Sequence, residues 1–427
     1  MLTKIGIIGG SGLDNPDFIE NYKELEVETP FGKPSSKLVI GKIYGVDVVF
    51  LSRHGRKHEI PPTQVNNLAN IFALKQIGCN FILSTTACGS LKEEIHRGDF
   101  VILDQFIDFT KQRKISFYEK FESGPVHTPM ASPFNKDLRK RLIDACSEFN
   151  FSHHDKGTVV TIEGPRFSTL AESKMFRLLE ADVINMSIAP EVILANEAEI
   201  PYATIAMSTD YDCWKQDEEP VTWDSIVSIF KKNSERVKKV LLKVIESFSR
   251  EHEIQKIKDK IRTIPDFPKQ GILFRDITTL FKDKEGIKKV AEIFYDRYKD
   301  KKIDVIVGIE SRGFIIGGIL AEKLNVGFVP IRKKGKLPAE VETQAYSLEY
   351  GSDTIEIHKD AIQKGQRVLL IDDLIATGGT ALASCKLIEK LGGEVIECAF
   401  IIDLPDLNGK LQLHPRNVFS LVEFKGH

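Results

Sequence analysis

Arg367-Val368-Leu369-Leu370-Ile371-Asp372-Asp373-Leu374-Ile375-Ala376-Thr377-Gly378-Gly379 decides how the last quarter of the chain is read. An apolar run leads into two acids, a small glycine-rich turn follows, and a helix is expected from Thr380 to about Leu391. Free backbone N–H groups at a helix start face an anion, and the helix dipole favours its negative charge. The layout therefore suits a sugar phosphate, with Ala376 to Thr380 around the phosphate and the two acids where ribose hydroxyls would lie. Buried carboxylates are costly unless paired or hydrogen-bonded, which separates this stretch from its bland alternative, an ordinary strand–turn–helix corner.

Working outward, short apolar, β-branched runs alternate with helical periods along the whole chain. Lys4–Ile8, Phe81–Ser84, Phe100–Leu103, Gly157–Ile162 and Tyr202–Met207 read as strands, as do Ile303–Ile309, Gly327–Ile331, Val368–Ile371 and Val395–Ile402. Val65–Ile77 and Lys136–Phe149 read as helices. This is an α/β pattern. Lys37–Ile43 and Val46–Leu51 flank Tyr44-Gly45 as a hairpin, so the first sheet should be mixed. Val221 to Ile264 contains neither glycine nor proline and reads as helical almost throughout. That length is unusual for one helix, and Ser249 followed by Glu251 and Glu253 resembles an N-cap with acids in the first turn. Two helices are therefore expected to meet near Ser249, dividing the chain into domains 1–248 and 249–427 with little flexible linker.

The 427 residues carry a formal charge of −2, with 42% hydrophobic and 28% charged positions. That composition suits a soluble globular protein and argues against a dedicated nucleic-acid binder, which carries a basic excess. Six scattered cysteines without a C-x-x-C pair fit reduced thiols and a cytoplasmic setting. No run reaches the length of a membrane helix and no signal-peptide pattern opens the chain. The glycines at 6–12 lack G-x-G-x-x-G spacing, which disfavours a nicotinamide cofactor.

From Ile261 to about Pro415 the chain resembles the adenine phosphoribosyltransferases. The resemblance is carried by Pro265-Asp266-Phe267-Pro268, Phe274-Arg275-Asp276-Ile277, Glu310-Ser311-Arg312-Gly313-Phe314, Arg332-Lys333-Lys334-Gly335-Lys336-Leu337-Pro338, Tyr346-Ser347-Leu348-Glu349-Tyr350-Gly351 and the opening stretch. It implies a type I phosphoribosyltransferase domain with a parallel-sheet core that moves phosphoribosyl from phosphoribosyl pyrophosphate to adenine, giving AMP and pyrophosphate. Mg²⁺ would arrive with the pyrophosphate rather than in a protein cage. Asp372 and Asp373 would hold the ribose, and Ala376, Thr377, Gly378, Gly379 and Thr380 the 5′-phosphate. Ser311, Arg312, Arg332, Lys333 and Lys336 would face pyrophosphate, Arg275 would contact adenine, and Glu349 would handle a proton at the base. The alternative of another class is a non-catalytic, nucleic-acid-binding regulator built on the same fold.

Residues 1 to about 248 resemble the 5′-methylthioadenosine phosphorylases of the purine nucleoside phosphorylase family. Here the motifs are Lys4-Ile5-Gly6-Ile7-Ile8-Gly9-Gly10-Ser11-Gly12-Leu13, Thr29-Pro30-Phe31-Gly32-Lys33-Pro34-Ser35, Arg53-His54-Gly55-Arg56, Thr85-Thr86-Ala87-Cys88-Gly89-Ser90, Glu163-Gly164-Pro165-Arg166-Phe167-Ser168, Ala181-Asp182-Val183-Ile184-Asn185-Met186 and Thr209-Asp210-Tyr211-Asp212-Cys213-Trp214. The implied domain is a mixed-sheet α/β unit. Phosphate would sit among Ser11, Arg53, His54, Thr86, Ala87 and Ser187, and the nucleoside among Phe167, Ser168, Asn185 and Met186. Asp210 and Asp212 would read the exocyclic amine of adenine, a 6-oxopurine being rejected by unpaired buried carboxylates. Asp210, raised by burial, would also donate a proton toward N7. Trp223, Ile226 and Val227 would border the 5′ group, with His127 reaching in from a neighbouring subunit. Trp223 is bulkier than the expected aliphatic residue and the family's C-terminal segment is replaced here, so adenosine stands as an alternative substrate.

Joined, the two halves would make and then consume adenine. The first half resembles a trimer-former and the second a dimer-former, which on one chain implies a homo-oligomer, expected as a hexamer of D3 symmetry.

Overall fold

The computed structural model describes residues 3–10, 13, 16, 18–122, 124–215, 223–347 and 352–426, without the side chains of residues 20, 223–232, 347 and 352. Two compact units divide the chain, Met1–Arg250 and Glu251–His427.

The first unit holds strands β1 (Lys4–Gly9), β2 (Glu20–Leu25), β3 (Leu38–Ile43), β4 (Val46–Ser52), β5 (Phe81–Ser90), β6 (Phe100–Ile102), β7 (Gln105–Phe109), β8 (His153–His154), β9 (Thr158–Ile162), β10 (Val183–Asn185) and β11 (Tyr202–Asp210). Its helices are α1 (Asn67–Gln76), α2 (Lys136–Glu148), α3 (Leu170–Leu178), α4 (Ile188–Glu197) and the start of α5 (Trp223–Asp259). The strands form one mixed sheet with the path β2-β3-β4-β1-β5-β10-β9-β7, while β11 pairs with both β5 and β6. The hairpin β3–β4 pairs antiparallel, with Ile43 opposite Val46. Along β1 the side chains alternate between faces. Ile5 and Ile7 join a core with Leu138 and Leu142 of α2 and Val240 and Val244 of α5, and Ile8 joins another with Ile71 and Leu74 of α1 and Val192 of α4. Helices on both faces explain why the central strands read as continuous apolar runs.

β5 is the branch point. Its first half pairs with β1 up to Ser84, and its end pairs with β10 from Gly89. Residues 85–88 pair on one side with β11 and on the other fall between β1 and β10. A backbone edge freed in the middle of a buried sheet needs partners, and it is here that a cavity opens.

The second unit opens with the two-stranded β12 (Arg262–Pro265) and β13 (Leu273–Asp276), followed by α6 (Thr278–Lys282) and α7 (Lys284–Tyr298). Then come β14 (Val305–Ile309), α8 (Gly313–Leu324), β15 (Gly327–Lys333), β16 (Val341–Ser347), β17 (Ser352–His358), β18 (Arg367–Ile375), α9 (Gly379–Lys390), β19 (Glu394–Asp403), α10 (Gly409–Gln412) and β20 (Val418–Glu423). The seven-stranded sheet runs β16-β17-β15-β14-β18-β19-β20. Its core from β15 to β20 is parallel, and β16 and β17 add antiparallel pairs at one edge. Val290 and Phe294 of α7 with Ile316 and Leu320 of α8 cover one face, and Cys385, Leu387 and Ile388 of α9 the other.

Two expectations need correction. α5 is one helix across Ser249. The Ser249 hydroxyl is not a cap; it donates to the Tyr44 carbonyl at 2.6 Å, so its polar group is satisfied by tertiary structure and nothing stops a glycine- and proline-free run. The strand around the acid pair also continues past both acids to Ile375. Among the described residues no helix is long and apolar enough to cross a membrane.

Candidate active sites

A cavity of about 630 Å³ in the first unit surrounds the freed edge of β5. It is lined by Arg53, His54, Thr86, Ala87, Phe167, Ser168, Asn185, Met186, Ser187, Asp210 and Asp212, side chains from five separate stretches of sequence. Ser11 lies outside the described residues, and so do the side chains of Trp223, Ile226 and Val227. His127 does not line this cavity; it is exposed and packs edge-on against Phe121, 6.2 Å between ring centres.

Arg53 follows β4 and is 1% exposed. Its Nε and one terminal nitrogen grip both oxygens of the fully buried Glu191, and it donates to Ser84 Oγ at 2.7 Å and to the Thr85 carbonyl at 2.8 Å. Gly10 lies directly against the guanidinium, where a Cβ would come within 2.4 Å of a terminal nitrogen. The His54 ring has its Nδ1 2.9 Å from the Ile60 carbonyl and lies 4.6 Å from the ring of His58. Burial, with the Arg53 charge beside it, pushes His54 down to about 4. It is neutral at physiological pH, donates through Nδ1–H, and leaves Nε2 as an acceptor. Thr86 Oγ1 sits 3.1 Å from Ser187 Oγ and accepts from Asn185 Nδ2 at 3.3 Å; Thr161 donates to the Asn185 carbonyl oxygen at 2.8 Å. These groups gather hydroxyls, an amide and a cation beside Thr86.

Farther along β5 the chemistry changes. A Cβ on Gly89 would stand 2.8 Å from Asp210 Oδ1, so the carboxylates lie at the Cys88–Gly89 end. Gly89 at this end lies three strand steps from Thr86, roughly 10 Å. Asp210 accepts from Thr209 Oγ1 at 2.7 Å and from the Asp212 amide at 2.8 Å. Burial nevertheless raises its carboxyl above the usual range. Ser168 donates to Asp212, with its hydroxyl 2.6 and 2.7 Å from the two oxygens. Phe167, half exposed, offers a ring at the rim. Neutral polar groups and a cation at one end and two acids with an aromatic face at the other can hold an oxyanion and an amine-bearing heterocycle.

Two supports were invisible in the sequence. Arg113 donates to the carbonyls of Met186 (2.6 Å) and Glu163 (2.5 Å) and pairs with the Glu163 carboxylate, bracing the two loops that carry Met186 and Phe167. Glu191 lies 138 residues from Arg53; its only sequence sign is an acid inside an apolar helix.

In the second unit Asp372 and Asp373 lie side by side on β18. Arg312 Nε is 2.8 Å from Asp373 Oδ2, and the Asp373 amide donates to Asp372 Oδ1 at 2.8 Å. Burial, and then the neighbouring Asp373 charge, holds Asp372 well above the ordinary carboxylate range; burial raises Asp373 too, against the pull of Arg312. Gly313 lets α8 start against the pair, since a Cβ there would lie 2.7 Å from the Ile371 carbonyl and 3.0 Å from Asp372 Oδ1. The turn Ala376-Thr377-Gly378 leads into α9 at Gly379, and Thr380 follows in its first turn. Gly378 has φ +84° and no side chain caps the helix, which leaves the first amides to a ligand. The loop packs so tightly on α10 that a Cβ at Gly378 would meet the Gly409 carbonyl at 2.5 Å.

Ser311 and Arg312 precede α8. Arg332, Lys333 and Lys336 end β15 and begin the loop beyond it, each beside an acid: Glu310 for Arg332 and Lys336, Asp353 for Lys333. Arg275 on β13 donates to Thr263 Oγ1 at 2.6 Å and lies 4.7 Å from the Phe424 ring centre, and its Nε is buried without a hydrogen-bond partner. Glu349 lies outside the described residues. Among those that are described, no three acids, histidines or cysteines cluster as a metal cage.

Comparison with known proteins matches residues 4–246 to the phosphorylase superfamily and residues 276–427 to the phosphoribosyl transferase domain. The chain is 57% identical over 247 residues to S-methyl-5′-thioadenosine phosphorylase of Xenopus tropicalis, covering 57% of this chain and 88% of that protein. The protein of that name from Thermofilum pendens is 49% identical over 255 residues, covering 59% and 95%. Among solved structures, methylthioadenosine phosphorylase from Schistosoma mansoni in complex with adenine superimposes with a TM-score of 0.56 at 43% identity, covering 58% of this chain and 92% of that one.

Proposed function

The chain belongs to the phosphorylase superfamily and carries a phosphoribosyltransferase domain after it, and on that premise we propose that it is a bifunctional pentosyltransferase of purine salvage. The first unit cleaves 5′-methylthioadenosine with phosphate to adenine and 5-methylthioribose-1-phosphate. The second joins that adenine to phosphoribosyl pyrophosphate, giving AMP and pyrophosphate.

The observation that carries the first half is the arrangement along β5, an oxyanion-suited end near Thr86 and two carboxylates roughly 10 Å away near Gly89. A phosphate held by Arg53, Thr86, the Ala87 amide and Ser187, its own O–H donating to neutral His54, faces C1′ while the purine lies between Phe167 and the acids. The C1′–N9 bond breaks as the phosphate oxygen closes on C1′, and Asp210 delivers its proton to N7, so adenine leaves neutral. Asp212 accepts from the exocyclic amine, and Asn185 and Met186 border the ribose. Identity to phosphorylases named for methylthioadenosine supports that substrate.

In the second half, pyrophosphate leaves C1 of the ribose as N9 of adenine attacks. Asp372 and Asp373 take the ribose hydroxyls, the amides of Ala376 to Thr380 the 5′-phosphate, and Ser311, Arg312, Arg332, Lys333 and Lys336 the pyrophosphate. Arg275 contacts adenine, and Glu349 handles its proton. Mg²⁺ suits the hard oxygens of the acid pair and of the substrate, and would neutralise pyrophosphate as it leaves, riding chiefly on substrate oxygens and waters. Consumption of adenine draws the reversible phosphorolysis forward by mass action.

Incubation of the whole chain with labelled methylthioadenosine and phosphate should yield labelled adenine, and addition of phosphoribosyl pyrophosphate should convert the label to AMP. Unchanged nucleoside defeats the first half, and adenine that persists beside phosphoribosyl pyrophosphate defeats the second. The same reading expects a hexamer built from three-fold and two-fold contacts, with His127 serving a neighbour's cavity; a monomeric mass in solution contradicts it.

A further inference from the structure

Glu310 follows β14, and its side chain is only 11% exposed. Three groups of the basic loop converge on its carboxylate. Lys336 Nζ lies 2.5 Å from Oε1, the Lys333 amide donates to Oε2 at 3.0 Å, and Arg332 Nε stands 3.4 Å from Oε2. Arg332 also donates to the Lys336 carbonyl at 3.3 Å, which ties the two cations together. A second acid shapes the loop and, among the described residues, forms no ion pair with its cations, as the Gly335 amide donates to buried Glu356 at 2.9 Å. Burial works to raise the Glu310 carboxyl, but the bonds from Lys336, the Lys333 amide and Arg332 outweigh it and hold it at about 2. It is an anion at any working pH.

Arg332 and Lys336 are the cations assigned above to pyrophosphate, and they already face an anion that belongs to the protein. We infer that Glu310 is a built-in competitor of pyrophosphate, a positioning residue that holds Arg332 and Lys336 in the empty site and recaptures them as the product leaves. The inference rests on the phosphoribosyl-transfer reading. Lys336 and Arg332 are 48% and 35% exposed at the side chain, so a diphosphate can approach them from solvent while Glu310 stays anchored at its strand end. With several negative oxygens against one carboxylate, pyrophosphate wins on arrival. The carboxylate lowers the net affinity and so shortens the product's stay. A residue that merely shaped the loop would act with the opposite sign, because its loss would weaken pyrophosphate binding.

The test is calorimetric titration of the full chain with magnesium pyrophosphate, unsubstituted and as Glu310→Gln. The glutamine variant should bind pyrophosphate roughly three- to tenfold more tightly, the span expected of one or two partly exposed ion pairs. It should also show stronger product inhibition of AMP synthesis. Equal or weaker binding overturns the inference. Glu356→Gln, which disturbs the loop's backbone without freeing a cation, should weaken binding; tightening there as well would remove Glu310's special role. Should Glu310→Gln fail to fold, a crystal structure of the unsubstituted chain with magnesium pyrophosphate decides. Lys336 must have left Glu310 for the product, and a Lys336 still on Glu310 refutes the idea. An unsubstituted chain that binds no pyrophosphate defeats the phosphoribosyl-transfer reading itself, a result visible before any variant is made.

Discussion

Glu191 has no solvent exposure and holds Arg53 through both carboxylate oxygens, while Ser84 and Tyr202 donate to the same carboxylate at 3.1 and 2.8 Å. Four donors on one buried acid fix the cation beside the oxyanion-suited end of the cavity. Removing one partner of a buried pair leaves an uncompensated charge, which costs about 3–5 kcal/mol. Glu191→Ala should therefore lower the unfolding free energy by about that much in denaturant titrations, and the KM for phosphate should rise far more than that for the nucleoside in any protein that still folds.

Asp210 supplies the pH dependence. Burial raises its carboxyl above the usual range, against the Thr209 hydroxyl and the Asp212 amide. A carboxyl raised by folding holds more protons in the folded than in the unfolded chain between its ordinary and its raised value, so stability falls as pH rises through that window. The donor form is lost over the same interval. The kcat of phosphorolysis should accordingly decline as pH rises through the raised value. Asp210→Asn should lower kcat by roughly 10²–10⁴ and flatten that limb of the profile; a profile identical to that of the unsubstituted chain would remove Asp210 from proton transfer.

Phe167 is half exposed on the cavity rim, so it owes little to the core. Phe167→Ala should raise the KM for nucleoside by up to about tenfold, the worth of one stacking partner, with kcat little changed and the melting temperature unmoved. Steady-state kinetics at saturating phosphate measures the split.

How far these features could be read in advance depended on the distance along the chain between partners. Asp372, Asp373 and the Ala376–Thr380 turn are contiguous, so strand, acids and helix start announce one another within a dozen residues. The Asp210/Asp212 pair is equally local. Glu191 on Arg53 and Arg113 on Met186 join residues 138 and 73 positions apart, and no local pattern marks such pairs. Ser249 misled for the same reason, because a capping signal is local while its real partner, Tyr44, lies 205 residues away. The branch in β5 was likewise hidden, since an apolar strand carries no mark of where its neighbours change.

The units have separate cores, so their activities should separate as well. Asp373→Asn removes the charge that Arg312 faces at 2.8 Å. It should depress AMP formation roughly 10²-fold, the usual scale for one electrostatic group at a transition state. Release of adenine from methylthioadenosine should proceed in the same preparation at the unsubstituted rate. Parallel loss of both activities would show that the units do not work independently.

Gly378 combines a left-handed φ of +84° with a backbone carbonyl, that of Gly409, 2.5 Å from where a Cβ would stand. The conformation alone costs a residue with a side chain roughly 1–2 kcal/mol, and the clash must push the phosphate turn off α10. Gly378→Ala should abolish calorimetrically detectable binding of phosphoribosyl pyrophosphate while leaving phosphorolysis intact.

The close approach of Gly313 to Asp372 has a consequence for anyone shuffling this domain. One position carries no chemistry of its own, yet any side chain there would occupy space that the carboxylate and the Ile371 carbonyl already fill. Chimaeras that take α8 from one parent and β18 from another must inherit positions 313 and 372 as a single block, and a crossover between them will be tolerated only where both parents bring glycine to the helix start.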